Sequence, residues 1–166
     1  MKRLVAVIAL ASPLLAYAES NPDASFYKNA AEGGLFEVDA GNLAQSKANS
    51  QQVKDFGAMM VKDHSAANDK LKSIAASKSI SLPGSASVGQ MATKAKLDVL
   101  SGDTFDKSYI KSQIKAHRQT IALFNKEVAS GQDADAKAFA RATLPTVKSH
   151  LKAITTIAAG AGVSTK

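Results

Sequence analysis

Apolar residues recur every three or four positions along four long stretches of the chain, the period of helices that bury one face. In the first stretch Phe26, Ala30, Gly33, Glu37, Ala40 and Ala44 share a seam, which predicts a helix from an N-cap at Asp23 to about Ala48. Asn49-Ser50 breaks the pattern, and Ser50 is placed to cap a second helix reaching about Ser79. Its stripe is Val53, Phe56, Met60, His64, Ala67, Leu71 and Ile74. The third stretch, about Thr104 to Ser130, carries Ile110, Ile114, His117, Ile121, Phe124 and Val128. The fourth, about Ala134 to Ala159, carries Phe139, Leu144, Val147, Leu151, Ile154 and Ala158, with Pro145 inside it to kink it or delay its start.

The middle joint differs from the two outer ones. Short polar turns at Asn49-Ser50 and Gly131-Gln132-Asp133 make two helical hairpins. Between them lie a Pro-Gly loop at 80–86 and a weaker helical stretch, Ser87 to about Leu100, with Met91, Ala95 and Val99 in phase. Two hairpins joined by one long crossover match an all-α, ferritin-like four-helix bundle with a short helix in the connection. An up-down-up-down bundle with a decorated middle loop is the competing topology.

Residues 1–18, MKRLVAVIALASPLLAYA, have the layout of a secretory leader. Lys2 and Arg3 precede an apolar run, and Ala16-Tyr17-Ala18 offers small residues for cleavage before Glu19. The run is too short to span a bilayer. This predicts one exported domain over 19–166, periplasmic or loosely associated with the outer membrane.

Composition narrows the chemistry. With no Cys there is no disulfide framework and no thiolate ligand, and with no Trp there is little aromatic surface for stacking on nucleic-acid bases. The net charge of +7 falls to +5 once Lys2 and Arg3 leave, and the remaining cations are scattered among acids. That argues against specific nucleic-acid binding and allows only weak contact with anionic envelope components.

All three histidines lie in different long helices, close to their midpoints. Counted from the hairpin turns at about 1.5 Å per residue, Glu37 and His64 come within roughly 5 Å of one height, and so do His117 and His150. Glu37, His64 and His117 replace apolar residues on their seams, and His150 lies beside its own. Polar groups buried at one level must satisfy one another, because an unpaired buried charge is very costly. One divalent transition-metal ion (zinc, copper, manganese or iron) held by His64, His117, His150 and Glu37 would do so. Asp63, Asp106 and Tyr109 are candidates to orient those ligands. The alternative reading is a non-catalytic envelope or stress-associated protein, in which the same residues form only a hydrogen-bonded network that fixes bundle register. The Glu-x-x-His pairs of carboxylate-bridged di-iron bundles are absent, as are a Gly-x-Ser-x-Gly elbow and a phosphate-binding glycine loop.

Several strings carry a family resemblance. Val53-Lys54-Asp55-Phe56-Gly57-Ala58-Met59-Met60-Val61-Lys62-Asp63-His64, Phe105-Asp106-Lys107-Ser108-Tyr109 followed by His117, Leu144-Pro145 followed by His150, and Gly33-Gly34 with Glu37 are the relevant residues. Together they resemble a bacterial exported ferritin-like family labelled a domain of unknown function (number 4142). The resemblance spans about 25 to 160. It implies a secreted four-helix bundle with the long crossover, and it implies no established reaction.

Overall fold

The computed structural model describes residues 21–165; the expected leader, 1–18, lies outside them. The described chain forms α1 (Ala24–Lys47), α2 (Gln51–Ser77), α3 (Val88–Asp98), α4 (Gly102–Ser130) and α5 (Ala134–Gly160), with no strand among the described residues. The four long helices are those the periodicity predicts. Pro145 does not delay α5, which is continuous through it. The ring is exposed, so the backbone group that loses its partner faces solvent.

Hydrogen bonds at the two ends of the bundle settle the topology. At one end Asp106, at the start of α4, accepts the N–H groups of Asn49 and Ser50 in the α1–α2 turn. At the other, Asp23 at the start of α1 accepts the N–H groups of Gln132 and Asp133 in the α4–α5 turn. Lys78, closing α2, pairs there with Asp133 and Asp135. So α4 begins where α1 ends and runs parallel to α2, giving up, down, down, up. That requires a connection running the length of the bundle, and it excludes the up-down-up-down alternative.

These end contacts also change two expected caps. Neither Asp23 nor Ser50 caps its own helix through its side chain. The Asp23 carboxylate is spent on the opposite turn. Asp133 caps α5 from Oδ1 while Oδ2 accepts Asn21 Nδ2 and the Tyr27 hydroxyl. Five donors outweigh the cost of its burial, so its carboxyl is held down at about 2.

Helix α3 lies against α1, tied by Lys47–Asp98 and Lys94–Asp39 ion pairs and capped by a reciprocal Ser87–Gln90 box. Its buried residue is Leu97. The stripe of Met91, Ala95 and Val99 faces out: Val99 is 83% and Met91 43% exposed, because Leu97 and the ion pairs fix the opposite face on α1.

At Gly41 and Gly57 the backbones of α1 and α2 approach closely. A Cβ on Gly41 would stand 2.6 Å from the Gly57 carbonyl oxygen, and one on Gly57 would stand 2.7 Å from that of Gly41. The core falls into two apolar clusters. One holds Phe36, Phe56, Met60, Phe105, Tyr109 and Ile154, and the other Phe26, Leu71, Phe124 and Phe139. The histidines occupy the layer between them.

Candidate metal centre

His64 on α2, His117 on α4 and His150 on α5 are all buried and face one another at the middle of the bundle. Their ring centroids form a nearly equilateral triangle with edges of 5.8 Å (His64–His117), 5.5 Å (His64–His150) and 5.5 Å (His117–His150). One ring nitrogen from each lies within 4.8 Å of those of the other two. Nitrogens around a tetrahedral zinc ion at about 2.0–2.1 Å are roughly 3.3 Å apart, so a small inward movement of the rings would close the set.

Outer partners fix two of the rings. His117 Nδ1 lies 2.9 Å from the Gln113 carbonyl oxygen one turn earlier. A carbonyl only accepts, so Nδ1 carries the proton and Nε2 keeps a lone pair. His150 Nε2 donates to Asp63 Oδ2 at 2.9 Å, which leaves the lone pair on Nδ1. His117 Nε2, His150 Nδ1 and His64 Nε2 are buried without a hydrogen-bond partner. Burial pushes His64 down to about 3, with its two neighbouring imidazoles adding to the effect. Burial likewise lowers His117 to about 4 against the opposing Gln113 hydrogen bond, and lowers His150 against the opposing Asp63. All three rings are therefore neutral at pH 7, the form that binds metal.

Glu37 reaches the same level but does not join the three nitrogens. Its Oε1 lies 3.7 Å from His117 Nδ1, the edge already bonded to Gln113, and its Oε2 has no partner. Burial raises it to about 8, with the Gln113 side chain opposing, so it is mainly protonated at neutral pH. The expected fourth ligand thus stands behind a histidine rather than beside the set. Tyr109 is fully buried, and burial together with the Glu37 charge raises its phenol well above the usual range. Asp63, expected as an outer partner, contacts His150 on α5 and not its sequence neighbour His64. Asp106 is not beside the histidines. It lies roughly 16 Å from His117 along α4 at about 1.5 Å per residue, with both oxygens committed to the α1–α2 turn.

Sequence reasoning missed Gln113 and a small cavity. Gln113 is fully buried on the stripe joining Tyr109 to His117, and that spacing is its only signal in the sequence. Phe56 closes one side of the triangle, its ring 6.2 Å from His117 and 6.4 Å from His150. Elsewhere His64 lines a cavity of about 20 Å³ with Asn68, Thr120 and Thr143, room for one water molecule.

A family model described as Domain of unknown function (DUF4142) matches residues 10–157. The chain belongs to this family. A DUF4142 fold of this kind is similar to two solved structures. One is a candidate secreted protein, DUF305, from Streptomyces coelicolor, at 15% identity and a TM-score of 0.71, covering 86% of this chain and 94% of that one. The other is a DUF305 fragment from Deinococcus radiodurans, at 10% identity and a TM-score of 0.72, covering 81% and 93%. At these identities the likeness shows the shared helical-bundle fold. None of the curated proteins matches the sequence. Among the described residues of this DUF4142 chain no helix is long and apolar enough to cross a membrane.

Proposed function

We propose that this DUF4142 protein binds one divalent transition-metal ion through His64 Nε2, His117 Nε2 and His150 Nδ1. The observation that carries this reading is the count of donors. His117 Nε2 and His150 Nδ1 are both acceptors, fixed so by Gln113 and Asp63. His64 can donate to at most one of them, and all three nitrogens lack a partner. A hydrogen-bonded network of these residues alone therefore leaves lone pairs facing lone pairs in a buried site, which costs free energy. A cation accepts all three at once. The register-fixing network is the weaker reading for that reason.

Neutral imidazoles suit zinc, copper, iron or nickel better than magnesium or calcium. Three protein ligands leave a fourth position, which a water in the adjacent cavity would complete. The proposed setting is outside the cytoplasm, supported by the leader-like residues 1–18.

Elemental mass spectrometry of the untagged protein, purified from its export compartment, tests the reading. Near one equivalent of metal is expected in the wild type, and none in folded His64→Ala, His117→Ala or His150→Ala. Wild-type protein with no metal, and none taken up from zinc, copper, manganese or iron, would overturn it.

A further inference from the structure

A site buried on all sides needs a path by which its ion arrives. Two approaches to the three histidines are closed. Phe56 covers one. At the edge where Asp63 is 31% exposed, the approach meets His150 Nε2, the nitrogen that carries the proton, rather than a lone pair.

A third approach begins at a surface groove. Between α1 and α4, under the N-terminus of α3, a groove of about 360 Å³ is lined by Asn29, Glu32, Glu37, Gln90, Gln119 and Thr120, among others. Glu32 is partly exposed and Glu37 is buried at the inner end. The groove shares Asn29, Gly33, Thr120 and Leu123 with the small cavity walled by His64. Space is free at Gly33, where an added Cβ would meet nothing nearer than Gln90 Nε2 at 3.9 Å. The groove thus presents oxygen donors in sequence, carboxylate and amides outside, and within it a hydroxyl and the Glu37 carboxyl, which gives up its proton to the solvent as it takes a cation. Glu37 belongs to both places: it lines the groove, its Oε1 is 3.7 Å from His117 Nδ1, and its Oε2 is unpartnered.

We infer that the α1–α4 groove is the entry route for a divalent transition-metal ion, and that Glu37 holds the ion in the groove before it passes through the adjoining cavity to His64. The inference rests on the metal-binding reading. Its logic is that of ligand exchange: oxygen ligands hold a partly hydrated ion loosely, and imidazole nitrogens then hold it more tightly. Glu37 is a transfer residue in this scheme, which explains why it stands beside His117 and outside the triangle.

Stopped-flow uptake of Co(II) by the metal-free full chain, followed through the ion's visible absorption, is the test. Gly33→Leu, which fills the groove, should slow uptake and release at least tenfold each. The dissociation constant should stay unchanged, because an obstruction on the path raises the barrier equally in both directions. Thr120→Leu, at the inner end, should do the same and serves where Gly33→Leu fails to fold. Glu37→Gln should also slow uptake, without loss of the bound-state spectrum. Wild-type rates in the folded groove variants would overturn the route. Wild-type rates in Glu37→Gln alone would overturn the transfer role. A wild-type protein that takes up no Co(II) would instead defeat the metal-binding reading itself.

Discussion

Asp63 and His150 belong to different hairpins, yet a carboxylate oxygen of one lies 2.9 Å from Nε2 of the other. This bond turns the lone pair of His150 Nδ1 toward the other two rings. Removing such an outer partner typically costs 10–100-fold in metal affinity. Asp63→Ala should therefore weaken binding by about that factor while leaving the helix content unchanged. Competition against a chromophoric chelator measures it, and an unchanged affinity would show that Asp63 does not orient the ligand.

Replacing a buried group without partners by an apolar one of similar size should help the metal-free fold. His64→Leu is expected to raise the stability of the metal-free protein by about 1 kcal/mol, or about 3 °C in Tm. It should also abolish the rise in Tm that saturating metal gives the wild type, about 4 kcal/mol at a thousand times the dissociation constant. Calorimetry with and without metal checks both. Lower stability in the metal-free variant would point to a register-fixing network instead.

Glu127 gives a pH test away from the histidines. Burial, then the charge of Asp23 and its hydrogen bond, raise Glu127 from 4.5 to about 7. The folded state therefore favours its protonated form. Its stabilising contribution is complete below 4.5 and is lost as pH rises through about 7. Glu37 titrates in the same direction and the three histidines in the opposite one, so the useful quantity is a difference. The Tm of Glu127→Gln minus that of the wild type should grow between pH 5 and pH 8. A constant difference would contradict the raised value.

Two glycines in one helix should respond with opposite signs. Gly41→Ala would drive a methyl group against the Gly57 carbonyl and should cost about 1–3 kcal/mol. Gly33→Ala meets nothing closer than 3.9 Å and should gain about 0.5–1 kcal/mol from helix propensity. Urea titration of both variants separates the effects.

The periodicity of the sequence determines the four long helices and their buried faces, and a uniform rise per residue brings His64, His117 and His150 to one level. These features follow from regular geometry, so they are legible in the residues. Contacts that depend on helix rotation are not. Asp63 adjoins His64 in sequence but reaches His150, since neighbouring residues on a helix point about 100° apart. The Gln113 carbonyl that fixes His117 is a backbone group with no side-chain signature. The stripe of Met91, Ala95 and Val99 is real, but α3 is short, and its ion pairs to α1 decide that the stripe faces out.

The connection through α3 bears on how the molecule assembles. Each hairpin joins helices adjacent in sequence and closes over a short loop, whereas docking one hairpin on the other must close a loop through the whole crossover. Contacts of low sequence separation form sooner. His64 belongs to the first hairpin, and His117 and His150 to the second. The three nitrogens are therefore expected to meet when the hairpins dock, and an ion bound between them would fasten the two halves together. Amide exchange should then show the hairpins protected separately without metal and as one cooperative unit with it.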